Sequence, residues 1–147
     1  MNKLTNWFVR KDSATIFFLS FLGIPLYLWL YSIFTEFERE DLQKNAGRKM
    51  LSVIVTLYPI IYFPFSVIFI FYNIIVNDAI GFERILPFHL LAAICSLVLI
   101  YLTSGTLTKY EKNKRVESFG SVGNFFLLWF YIFGVWMLQP KINKYSK

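Results

Sequence analysis

The sequence predicts an all-α polytopic integral membrane protein with four transmembrane helices, the second kinked by proline. Three observations carry that prediction. Four runs, residues 14–34, 50–76, 85–103 and 119–139, hold no Asp, Glu, Lys or Arg. At about 1.5 Å rise per residue each is long enough, or nearly so, for roughly 30 Å of bilayer hydrocarbon. Apolar residues make up 56% of the 147-residue chain and the charges fall in short intervals, a pattern that excludes an ordinary soluble globule. Aromatic residues reach 20%, which suits helices that pack large side chains against lipid and one another. A chain of this length is a single domain, 1–147.

The first thirteen residues, MNKLTNWFVRKDS, are polar and basic around Leu4, Trp7 and Phe8, and predict a short interfacial turn. Asp12 or Ser13 is placed to cap the helix that follows, and Arg10 and Lys11 to meet head groups. The first run, 14–34, carries Gly23 and Pro25 near its centre, so a kink is expected there. A re-entrant hairpin turning at Gly23 and Pro25 is the alternative, with a turn that must be shielded from lipid.

The next interval holds Glu36, Glu38, Glu40 and Asp41 beside Arg39, Lys44, Arg48 and Lys49. A cation site is one reading. A solvated helical extension, with a Glu40–Lys44 pair and a stop at Gly47, is the favoured one, because alternate residues on a helix do not share a face.

The second run, 50–76, contains Pro59 and Pro64. Each removes a backbone donor and frees the carbonyl four residues earlier, those of Val55 and Ile60, so a bend between Val55 and Pro64 is expected. Ser52, Thr56 and Ser66 are near enough to help satisfy freed carbonyls. Asn77, Asp78 and Gly81 then predict a short turn that makes the second and third helices antiparallel neighbours. Pro87 suits the first turn of the third helix, and Ala92 and Ser96, four residues apart, make a face for close packing. His89 and Cys95, the single histidine and cysteine, lie in this helix and are read as a hydrogen-bonded anchor and a small buried residue.

Lys109, Lys112, Lys114 and Arg115 follow as a basic membrane flank that could contact lipid head groups or an acidic partner surface. In the last run Gly120, Gly123 and Gly134 are close-packing positions, and Pro140 is expected to end the helix. A net charge of +6 does not indicate nucleic acid here, since the basic residues lie beside the apolar runs.

Sidedness does not resolve under four spans. With the N-terminus cytoplasmic, seven Lys and Arg fall inside and eight outside. The hairpin alternative for the first run gives eleven against four. Four spans with both termini cytoplasmic is the expectation, because the first helix often sets orientation.

In the first run Leu19, Ser20, Gly23, Ile24, Tyr27, Trp29 and Tyr31, and at the chain's end Gln139 with Asn143, carry a resemblance to a group of small bacterial four-helix membrane proteins. The shared pattern is Gly-Ile, then Tyr/Trp/Tyr, and a closing Gln-x-x-x-Asn. Pro25 departs from it, standing where the group has its first Tyr. The resemblance implies a helical membrane fold and no particular activity.

No charged residue falls within the four runs, and no phosphate loop, zinc motif or nucleophile elbow occurs. No enzyme activity, cofactor or metal is therefore expected. The leading expectation is a non-enzymatic accessory subunit of a bacterial inner membrane that contacts lipids and docks on a larger membrane protein or on itself. Two others remain: an immunity protein against a pore-forming toxin, and a small oligomeric channel or lipid transporter lined by Ser52, Thr56, Ser66 and Asn73.

Overall fold

The computed structural model describes residues 3–39, 46–76 and 80–146. Among them all regular structure is helical: α1 (Lys3–Arg10), α2 (Ser13–Ser20), α3 (Ile24–Glu38), α4 (Ala46–Val76), α5 (Ile80–Asn113), α6 (Gly120–Trp129) and α7 (Tyr131–Tyr145). The all-α class stands and the four-span count does not. Only α4 and α5 are long and apolar enough to cross a membrane. Glu40, Asp41, Lys44, Asn77 and Asp78, and with them the expected Glu40–Lys44 pair, lie outside the described residues.

The first apolar run is two helices because Gly23 turns the chain. Its φ of 73° belongs to the left-handed region that favours glycine. A Cβ there would also stand 2.9 Å from the Phe63 ring. Pro25 starts α3 at a position where its missing N–H costs no helical hydrogen bond. The two helices run antiparallel. Gln139 reaches both the Lys11 carbonyl, at 2.7 Å, and Trp29 Nε1, at 2.7 Å. A straight helix would hold residues 11 and 29 roughly 27 Å apart, beyond any single side chain. The structure therefore adopts the hairpin alternative for this run. Asp12 caps α2 as expected, accepting from Thr15 N at 2.8 Å, and bonds to Thr15 hold its carboxyl below the ordinary range. The preceding segment is a helix, α1, packed on α3 rather than a lone turn.

The last apolar run repeats the device. Phe130, at φ −87° and ψ 57°, breaks the helix between α6 and α7. Tyr145 Oη donates to the Glu117 carbonyl at 3.3 Å, and Lys141 Nζ lies 3.8 Å from the Phe119 ring centre. Residues 22 and 28 apart in sequence thus meet at one end. Gly134 makes the reversal possible, since a Cβ on it would fall 1.6 Å from the Leu127 carbonyl oxygen. Gly120, at φ 73°, has open space around it, and Gly123 meets only the Phe119 Cβ of the preceding turn, so neither brings helices together. Pro140 lies inside α7, which continues to Tyr145.

The long helices exceed the expected limits. Gly47 lies in the first turn of α4 instead of ending a helix, and Gly81 and Pro87 lie within α5. Helix α4 continues through Pro59 and Pro64. Its inner stripe, Ser52, Pro59, Ser66 and Asn73, is buried and recurs every seven residues, the spacing of a left-handed helix seam. The hydroxyls foreseen as partners for the Val55 and Ile60 carbonyls bond others: Ser52 donates to Lys49 O, Thr56 to Ser52 O and Ser66 to Phe63 O. Helix α5 runs antiparallel to α4, with Arg48 bonded to Thr106 near one end and Tyr62 to His89 further along.

Around α5 the packing changes along its length. From Leu102 to Glu111 nearly every residue is buried, because α3, α4 and α6 all pack there. From Glu83 to Leu97 only Ile85, Ala92 and Cys95 are buried. Tyr27, near the first tip, bonds Ser96 Oγ at 3.0 Å. Ser96 is at the middle of the uncharged stretch 85–108, and Phe63, which meets Gly23, is the midpoint of 50–76.

Candidate functional site

At the end where both hairpins open, buried polar side chains join different helices in three nodes. The first is built on Gln139. Its Oε1 accepts from Trp29 Nε1 at 2.7 Å. Its two Nε2 hydrogens are shared among the carbonyls of Phe8, Val9 and Lys11 and the Asn143 side-chain oxygen, at 3.2, 3.1, 2.7 and 3.1 Å. Asn143 Nδ2 also donates to Lys11 O at 3.1 Å. The final carbonyls of a helix have no partner within it, so Gln139 satisfies the end of α1 and ties it to α3 and α7. Gln139 thus meets both Asn143, one turn on in α7, and Trp29, 110 positions away, all three residues of the pattern noted in the sequence.

The second node joins α3, α4 and α5. Glu38 lies 3.8 Å from Arg48, and Arg48 donates to Thr106 Oγ1 at 3.2 Å. The Thr106 hydroxyl shares its proton between Glu38 Oε2, at 3.1 Å, and Leu102 O, at 2.9 Å. Glu38 is buried, so it is not part of a solvated extension.

The third node is centred on Glu111, fully buried on α5. Its Oε2 accepts from Ser118 Oγ at 2.6 Å and from Asn124 Nδ2 at 2.9 Å. Asn124 also donates to Thr108 Oγ1 at 3.0 Å, fixing α6 to α5. Glu111 Oε1, Asn124 Oδ1 and Glu38 Oε1 are buried without a hydrogen-bond partner among the described residues. Between the nodes, the rings of Phe37, Tyr110 and Tyr145 pack with centroids 4.6 to 6.3 Å apart. Burial, and next the negative charge of Glu111, raise the Tyr145 hydroxyl above its ordinary pKa.

The basic residues singled out in the sequence reach the same end without converging on one another. Arg10, Lys109, Lys112, Lys114 and Arg115 are exposed, and Lys11 is half-buried. Lys11 lies over the Trp7 ring at 5.0 Å and Lys114 over the Tyr110 ring at 5.6 Å. Lys3, Arg39, Arg48, Lys49, Lys141 and Lys144 stand on the same side of the two hairpin turns. Among the described residues, Arg84 is the one Lys or Arg at the opposite end. The sequence count of seven against eight becomes, for described residues, twelve against one.

Of the packing residues, Ala92 and Ser96 do face a neighbour, with Ser96 bonded to Tyr27 of α3. The groups proposed to line a path, Ser52, Thr56, Ser66 and Asn73, are buried in the α4 seam and each donates to a carbonyl of its own helix. Among the described residues no three His, Cys, Asp or Glu side chains converge as metal ligands would. The arrangement as a whole is a set of tethers that closes the hairpin mouths. Glu111 and Asn124 went unremarked in the sequence, although a lone amide within an apolar run was a signal for one of them.

No family model matches the chain, and comparison with curated proteins and with solved structures gives no match.

Proposed function

We propose that the chain is a non-enzymatic integral membrane protein, with α4 and α5 as its two full spans and two half-depth hairpins entering from one side, and that it serves as an accessory subunit docked on a larger membrane protein. The observation that carries this reading is the depth of the hairpins. The first tip meets α4 and α5 at the middle of their uncharged stretches. Arms of eight residues in α2 and ten in α6 extend about 12–15 Å, half of a roughly 30 Å core. Beyond the tips the helix pair is uncovered, with Ile68 69%, Phe71 63%, Ile75 81%, Leu86 55% and Leu90 56% exposed. Such a surface suits acyl chains or an apolar partner helix, not water.

Orientation follows from the charges. Lys and Arg mark the cytoplasmic side, so the hairpin mouths, both termini and all three polar nodes are assigned to the cytoplasm of a bacterial inner membrane. The unpaired glutamate oxygens then lie near the membrane surface, where water is at hand.

Docking is tested by photocrosslinking in native membranes from Phe71 and Leu90 of the uncovered half, with Phe18 on the first hairpin as a comparison site. A single defined membrane protein captured from Phe71 or Leu90 is the expected result. Adducts to lipid or to the chain itself, and none to another protein, would contradict the accessory reading.

A further inference from the structure

We infer that the folded chain is a wedge that occupies far more of one membrane leaflet than of the other, and that it therefore concentrates where the bilayer is convex toward its charged face. The inference rests on the proposed reading of α4 and α5 as spans. It concerns the protein alone, before any partner is bound.

The cross-section differs between the two halves of the bilayer. Next to the charged face α2, α3, α4, α5, α6 and α7 are all present, whereas among the described residues only α4 and α5 continue past the first tip, and the second tip, six residues beyond the Asn124 that bonds Thr108, reaches no deeper. A helix with its side chains is about 10–12 Å across and so displaces roughly 80–110 Å² of leaflet area. Four additional helices displace about 300–450 Å² in one leaflet and nothing in the other.

Lipid is the occupant of the space under the tips. Phe21, Leu22 and Phe130 at the two turns are 60%, 64% and 57% exposed, so no described part of the chain covers them. They are apolar, and chain ends of the opposite leaflet fill that space at least cost.

The wedge is also stiff and held in one orientation. Gln139 ties the hairpins together through Trp29 and the Lys11 carbonyl, and Asn124 anchors the second hairpin to α5. Twelve described basic residues at the wide end do not cross a bilayer, so the wide end keeps to one side. A body that expands one leaflet is drawn to a bend that expands the same leaflet, because the area mismatch there is smaller. Surface-bound amphipathic helices respond to curvature through the same asymmetry.

The test uses the full-length protein, dye-labelled on its N-terminal amine. It is added from detergent to preformed giant vesicles of phosphatidylcholine and phosphatidylglycerol, so that the charged face remains outside. Narrow membrane tubes are then pulled outward. Protein density in the tube relative to the parent vesicle is expected to rise about threefold, the ratio that a preference near RT produces. In parallel, spin labels on Phe21→Cys and Phe130→Cys, each made in Cys95→Ser, report tip depth and are expected at or just short of the bilayer centre. Midplane tips with equal or lower density in the tube would overturn the wedge inference and leave the membrane reading intact. Tips found at the far head groups would overturn both.

Discussion

The two halves of the α4–α5 pair differ in residues and in surroundings. In the half near the hairpin mouths, Leu99 and Leu107 are 0% and 1% exposed, and Thr103, Thr106, Thr108 and Glu111 are buried among three neighbouring helices. In the other half, Leu90, Phe71 and Ile75 face outward, and each helix buries only the stripe it turns to its partner. The buried half is the more polar of the two in sequence and the exposed half the more apolar, the reverse of a water-soluble protein. Specific tertiary contacts are concentrated in the first half, where hairpins and polar nodes clasp the pair.

The largest effect that would break this contrast is at the second turn. Gly134→Ala would place a methyl group against the Leu127 backbone, which no rotamer change can relieve. A loss of more than about 4 kcal/mol is expected, read as failure of the purified protein to show a cooperative thermal transition. A matched pair of truncations compares the halves directly. Leu107→Ala is expected to cost about 2–4 kcal/mol by cavity formation, and Leu90→Ala less than about 0.5 kcal/mol, both by denaturation in one detergent. Equal losses would remove the distinction between the halves.

Gln139→Leu keeps the volume but leaves Trp29 Nε1 and the last carbonyls of α1 without a partner. It is expected to cost about 2 kcal/mol and to speed tryptic cleavage at Arg10 and Lys11 before any other site. Glu111→Gln has a smaller effect of opposite sign. A glutamine oxygen can still accept from Ser118 and Asn124, while its amide supplies a donor where Glu111 Oε1 and Asn124 Oδ1 have none. A gain of about 1 kcal/mol is expected in the same denaturation experiment.

The sequence conveys one of these halves better than the other. The apolar cores of α4 and α5 follow from apolar content, so the uncovered half was legible in outline, although both helices run past the expected 50–76 and 85–103 and the seven-residue seam of α4 was not foreseen. The clasped half was not, for a physical reason: a run of 21 apolar residues is equally consistent with one helix across a membrane and two helices folded to its centre. What decides is backbone conformation at Gly23 and Phe130. Gly23 beside Pro25 signalled a turn in the first run, but Phe130 is an ordinary aromatic, and only the close approach at Gly134 explains the second. Charge balance was a further signal, since twelve to one is reached only when both runs fold back. The polar nodes depend on contacts between residues such as Trp29 and Gln139, whose distance in the chain hides their proximity.

The most direct test of the half-depth hairpins is the sidedness of single cysteines, labelled with a membrane-impermeant thiol reagent in right-side-out and inverted vesicles. In a Cys95→Ser background, Lys3→Cys, Arg115→Cys and Lys144→Cys are predicted to react only from the cytoplasmic side, and Arg84→Cys only from the opposite side. Reaction of Arg115→Cys and Lys144→Cys from opposite sides would mean that the last run crosses the bilayer, and would contradict the account.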